Sequence, residues 1–177
     1  GTYALYSGQG NELNRTVRWQ VDLPKIITNQ TLYMTMKAWW EIEPGWDFAY
    51  MEIRSQRKGS KWQRLVSKPH MHAKHGHDGP KSLPGFTGFS GDLDGDGKNE
   101  NHPQCDPKKK LKHGEDKKER SACQKGTWTH VLFDLSVWQG DSVQIRLRYF
   151  SDMAAVEKGI LIDELEIGHK EAQKTVR

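Results

Sequence analysis

Leu32, Met34, Met36, Ala38, Trp40 and Ile42 recur at every second position, with Thr35, Lys37 and Glu41 between them. That is the period of a strand with one buried face. After Glu43-Pro44-Gly45-Trp46, which has turn chemistry, Ala49, Met51 and Ile53 alternate with Tyr50, Glu52 and Arg54. The two runs are expected to pair as antiparallel neighbours. A turn at residues 57–61 precedes a short strand from Trp62 to Val66. Residues 16–23 predict another strand, as do residues 127–135. Beyond the turn Gln139-Gly140-Asp141, Val143, Ile145, Leu147 and Tyr149 alternate with Gln144, Arg146 and Arg148, and a last strand covers residues 159–167. About seven strands with no helical stripe predict an all-β, antiparallel β-sandwich.

Between residues 67 and 125 the alternation stops. So long a stretch without periodicity predicts a polar insertion that is functional or ordered by something other than a core. The 177 residues, 1–177, are then expected to form a single sandwich domain carrying this insertion. The 17 glycines, 7 prolines and 7 tryptophans favour strands and turns over a helical bundle. No apolar run approaches the roughly 18 residues of a membrane-spanning helix. The opening Gly1-Thr2-Tyr3 has neither methionine nor leader, as expected of a mature product or a segment of a longer parent. Phosphate loops, dinucleotide fingerprints and serine or cysteine nucleophile motifs are absent from the sequence, so it is not expected to be an enzyme by itself.

The sharpest local motif is Asp92-Leu93-Asp94-Gly95-Asp96-Gly97-Lys98-Asn99-Glu100. Asp92, Asp94 and Asp96 stand where the first half of an EF-hand loop places its carboxylates, with the Lys98 carbonyl and Glu100 following. An all-oxygen donor set predicts calcium. The twelfth position is Pro103 rather than glutamate, so Asp106 or a distant residue must complete the shell. Asp163 shares its parity with Leu161, Leu165 and Ile167, and Asp47 opens the Ala49-Met51-Ile53 face. A carboxylate on an inward face needs a partner, a bulge or a cation, so Asp47 and Asp163 form a candidate second cation site.

His70, His72, His75 and His77 beside Asp78 could ligate zinc. They lack the His-Glu-x-x-His spacing, and a histidine-rich polar loop is the plainer reading. Cys105 and Cys123 lie in a charged stretch with no apolar cover. They predict one disulfide, worth about 3 kcal/mol, and with it secretion, the alternative being two unconnected thiols. Between them Lys108, Lys109, Lys110, Lys112, Lys117, Lys118 and Arg120 are interspersed with Asp106, Glu115, Asp116 and Glu119. Such a loop can attract a polyanion or simply be solvated. No aromatic residue accompanies it for stacking, which argues against specific nucleic-acid recognition. Most tryptophans are expected in the core; Trp39, on the polar parity of its strand, is the candidate for an exposed ligand contact.

Several strings, in order, resemble one family. They are Ser7-Gly8-Gln9-Gly10-Asn11, Trp46-Asp47-Phe48-Ala49-Tyr50-Met51-Glu52-Ile53, residues 85–91, Phe133-Asp134-Leu135-Ser136, residues 140–152, and Gly159-Ile160-Leu161-Ile162-Asp163-Glu164-Leu165. Together they are similar to the non-catalytic jelly-roll domain of the immune inhibitor A (M6) metallopeptidases. The resemblance implies a jelly-roll sandwich of the carbohydrate-binding or MAM kind, downstream of a secreted bacterial zinc endopeptidase. Its zinc would belong to the parent's catalytic domain, which would also be the partner of this chain. The matching aspartates Asp47 and Asp163 fit a cation site. The expected function is thus a secreted, calcium-binding accessory domain serving stability, anchoring or substrate contact. The alternative is a module that binds carbohydrate or a polyanion.

Overall fold

The computed structural model describes residues 2–25, 30–68, 72–73, 83–92, 99, 102–103 and 124–171. The described strands are β1 (Leu5–Tyr6), β2 (Asn14–Asp22), β3 (Gln30–Glu41), β4 (Phe48–Ser55), β5 (Gln63–Arg64), β6 (Ser67–Lys68), β7 (His72–Ala73), β8 (Leu83–Pro84), β9 (Thr129–Asp134), β10 (Ser142–Phe150) and β11 (Gly159–Glu171). They form a five-stranded sheet in the order β1-β11-β3-β9-β6, a four-stranded sheet in the order β2-β10-β4-β5 and a β7-β8 ribbon, with antiparallel pairing throughout. The architecture is the all-β sandwich that the alternation predicts.

The alternating residues make the core. Leu32, Met34, Met36, Ala38 and Trp40 of β3 meet Ala49, Met51 and Ile53 of β4, Val143, Ile145, Leu147 and Tyr149 of β10, and Val131 and Phe133 of β9. Each such large side chain, fully buried, contributes roughly 1.5–3 kcal/mol. Val17, Trp19 and Val21 cover the margin from β2.

Three expectations need correction. First, β3 and β4 are not neighbours: β3 lies between β11 and β9, whereas β4 lies between β10 and β5. Alternation tells which face of a strand is buried but not which strand lies beside it. The corner at residues 42–47 carries the chain from one sheet to the other.

Second, Ile160 and Ile162 point inwards at 0% and 3% exposure, the reverse of the parity expected for β11. A bulge between Asp163 and Glu166, with Glu164 at φ 48°, resets the phase. Leu165 and Ile167 consequently also face the core, and Asp163 does not.

Third, residues 67–125 are not wholly an insertion. Ser67 and Lys68 extend the larger sheet beside β9. Phe86 exchanges backbone bonds with Ala49 at 2.8 and 3.0 Å, and Ser90 donates its N–H to the Trp40 carbonyl at 2.9 Å. Segment 84–90 thus crosses one end of the sandwich from β4 to β3, with the Phe86 ring 4.9 Å from that of Trp40. An irregular backbone has no period for sequence reading to detect.

Candidate metal centre

That crossing segment fixes the corner after β3. Trp46 and Asp47 donate their N–H groups to the Glu43 carbonyl at 3.4 and 3.2 Å, closing a single tight turn over Pro44 and Gly45, with Gly45 at φ 81°. The Thr87 hydroxyl lies 3.1 Å from the Glu43 carbonyl and 3.0 Å from that of Asp47, to which it donates, and accepts the Gly45 N–H at 3.0 Å. Glu43 and Asp47, four residues apart, are thereby placed on the same side of the turn.

The third acid comes from the turn after β10. Ser151 donates its N–H to Leu13 and its hydroxyl to the Gly10 carbonyl, and Glu12 donates its N–H to the Asp152 carbonyl at 2.7 Å. Asp152 in turn accepts the Ala154 N–H at 2.9 Å on one oxygen. The result is a group of three carboxylates, Glu43, Asp47 and Asp152, each with one oxygen within 4.8 Å of one oxygen of the other two.

The electrostatics of the group are one-sided. Asp47 is 1% exposed. Its Oδ1 accepts the Asp152 N–H at 2.8 Å and its Oδ2 the Tyr149 hydroxyl at 3.4 Å. Burial lifts its carboxyl above the usual range, and the nearby charges of Asp152 and Glu157 add to the lift, against the relief from those two bonds. Glu43 is also lifted, by burial and then by Asp152, Asp47 and Glu157. The buried Oε2 of Glu43 has no hydrogen-bond partner among the described residues. Tyr149 is pushed well above the ordinary phenol value by burial and by Asp47, so it remains a neutral donor.

Oxygen-only donors, two of them reluctant to ionise unaided and one with an unused buried atom, fit a hard divalent cation such as calcium. The same arrangement can instead share protons.

The sequence singled out Asp47 but grouped it with Asp163. Asp163 lies at the β11 bulge in the other sheet, beside Lys37 in register, and accepts the Glu164 N–H at 2.7 Å. It is not in the carboxylate group. Sequence reasoning does not single out Glu43 or Asp152 as members of an acidic cluster. The Glu43-x-x-x-Asp47 spacing was a signal for one of them, whereas nothing in the sequence ties residue 47 to residue 152.

Of the acidic loop, only Asp92 and Asn99 are described; Asp94, Asp96, Lys98 and Glu100 lie outside the described residues. Asn99 is fully buried, its Nδ2 within hydrogen-bonding distance of the carbonyls of Ser90 (2.9 Å) and Lys125 (2.6 Å). Cys105, Cys123, His70, His75, His77, Asp78 and residues 108–120 also lie outside the described residues, while His72 pairs with Pro84 in the small ribbon.

Trp39 is half-buried, with Lys158 Nζ 5.6 Å from its ring centroid and Gly126 packed close to its indole nitrogen. Trp46 and Trp128 are the more exposed tryptophans, at 51% and 49%. Trp46 sits in the tight turn beside the carboxylates and Trp128 just before β9, positions that parity cannot assign. No protein-family model matches the sequence, and no curated protein is significantly similar to it.

Proposed function

We propose that this chain is a non-catalytic, calcium-binding β-sandwich module, with Glu43, Asp47 and Asp152 holding a cation that joins the corner after β3 to the turn after β10. The observation that carries the reading is that Glu43, one of three clustered carboxylates, has a buried Oε2 with no hydrogen-bond partner among the described residues. A divalent ion would give that oxygen a partner and cancel a repulsion that burial otherwise amplifies. Its role would be to stiffen one end of the sandwich. The acidic loop at residues 92–100 is proposed as a second, independent calcium site. The order of motifs resembling the immune inhibitor A accessory domain supports a place in a secreted metallopeptidase, packed against its catalytic domain.

The test is thermal unfolding in EDTA and in millimolar calcium for the wild type, Glu43→Gln and Asp94→Ala. Calcium at about one hundred times its Kd should raise the wild-type Tm by roughly 5–10 °C. Glu43→Gln should lose the part of that gain due to its own site, and Asp94→Ala the part due to the acidic loop. A full calcium response in Glu43→Gln, lost only in Asp94→Ala, would place the ion in the acidic loop instead.

A further inference from the structure

The two outer faces of the sandwich differ in charge. On the five-stranded sheet signs are mixed, and Lys37 Nζ meets Glu164 at 2.8 Å. The four-stranded sheet presents a transverse row, in register, of Arg18, Arg146, Glu52 and Arg64. Arg148 and Arg54 flank the row on the same face. Glu52, the one carboxylate among these five guanidiniums, is buried and paired with Arg146 at 2.6 Å. The next carboxylate on the face, Asp22, stands at the end of β2 and accepts a bond from Ser142.

Arg18 and Arg146 are direct cross-strand partners, an arrangement that costs stability where nothing neutralises it. A face shaped for solubility alone would alternate its signs. The guanidiniums are also held in place. Arg64 lies 3.8 Å from the ring centroid of Tyr50, and Trp62 takes Arg146 at 4.0 Å and Arg54 at 4.7 Å. A guanidinium stacked on a ring is ordered in advance and keeps for an oxyanion the in-plane N–H donors its neighbours leave. Arg54 spends Nε and Nη2 on Gln144 Oε1 and Arg146 its Nε on Glu52, each keeping its other donors. Arg18 is exposed, and neither it nor Arg64 or Arg148 has a carboxylate partner among the described residues. Beside Arg54 and Gln144, a polar cleft of about 260 Å³ lined also by Ser55, Gln56, Arg57 and Ser60 continues the face.

We infer that this arginine face binds an anionic polysaccharide, through its sulfate or carboxylate groups. Charge complementarity selects a polyanion. The aromatic rings select among polyanions: Tyr50 is covered by Arg64 and closely approached by Gly85, and Trp62 by two arginines, so bases find no platform to stack on. A sheet face also offers no helix or ribbon for a duplex groove.

Binding of the full chain to dextran sulfate, polygalacturonate, uncharged dextran and a DNA duplex is measured in EDTA across a salt series, which separates this site from any calcium site. The charged glycans should bind and uncharged dextran should not. The variant Arg18→Gln/Arg64→Gln/Arg148→Gln should bind at least about tenfold more weakly. Its log–log salt slope should shrink by about one per arginine. Should that variant fail to melt cooperatively, Arg18→Gln alone decides, since that side chain is exposed; it should weaken binding several-fold. Unchanged affinity in the folded arginine variant overturns the inference. So does loss of binding only in Lys108→Gln/Lys109→Gln/Lys110→Gln, or tighter binding to the DNA duplex than to either charged glycan.

Discussion

Asp47 Oδ1 accepts the backbone N–H of Asp152 at 2.8 Å, so a buried acid is bonded to the main chain of the residue whose own carboxylate opposes it. Attraction and repulsion act on one side chain, and substitution can separate them. In EDTA, Asp47→Asn keeps an acceptor for that N–H and removes a charge, so its Tm should equal or exceed that of the wild type. Asp47→Ala leaves the donor without its partner and should cost about 1–3 kcal/mol in a denaturant melt. Equal losses in both variants would mean that an amide oxygen does not replace the carboxylate at that N–H, so the charge at position 47 stabilises rather than destabilises.

The same group sets a pH dependence. Glu43 and Asp47 both have carboxyls raised above their ordinary values, burial being the first cause for each. The native state therefore binds protons more readily than the unfolded chain. Their destabilisation is fully present above the raised native values, and it disappears as pH falls through them into the ordinary carboxylate range near about 4. Without calcium, the wild type should lose less stability on acidification than Glu43→Gln does. With calcium bound the acids are held ionised and the sign reverses, so wild type should lose more than the variant. Melting both proteins over a pH series, with and without EDTA, checks the reversal.

Where side chains alternate without interruption, the sequence was enough: β3, β4 and β10 lie within about two residues of their expected bounds. Alternation fails at β11, where one bulge at Glu164 brings Ile160 and Leu165, which a continuous period would put on opposite faces, to the same inward face. It is also silent on segment 84–90, which is held by backbone bonds to Ala49 and Trp40 rather than by a patterned face. The carboxylate site was half legible. Asp47 stood out because a charge began an apolar face, but Asp152 became its neighbour only through the pairing of β10 with β4, which parity does not encode.

Glu52 and Arg146 give a sharper measure of burial. Their side chains are 9% and 14% exposed and meet at 2.6 Å. Removing one partner strands the other's charge, so Glu52→Ala should cost about 3–5 kcal/mol. Arg146→Met in that background should recover a large part, because no buried charge then remains. A double variant as unstable as the sum of its single variants would show that the pair does not couple.

Gly91 and Asn99 anchor the two ends of the acidic loop to each other. Gly91 has φ 101°, and a Cβ built on it would lie 2.2 Å from Asn99 Oδ1. Asn99 is 0% exposed and offers its two N–H donors to Ser90, Lys125 and Thr127. Asn99→Ala removes those donors and empties a fully buried position; the Ser90 carbonyl keeps the Thr127 N–H but the bridge to Lys125 and Thr127 is lost, costing about 1–3 kcal/mol. Gly91→Ala must both strain a left-handed backbone and push Asn99 aside, at a similar cost of about 1–3 kcal/mol. If displacement of Asn99 is the main damage, the double variant should lose clearly less than the two single losses combined, since the same bonds cannot be broken twice. Strict additivity in urea melts would instead assign the Gly91 cost to its backbone alone, and Asn99 would then not be the contact that requires a glycine at position 91.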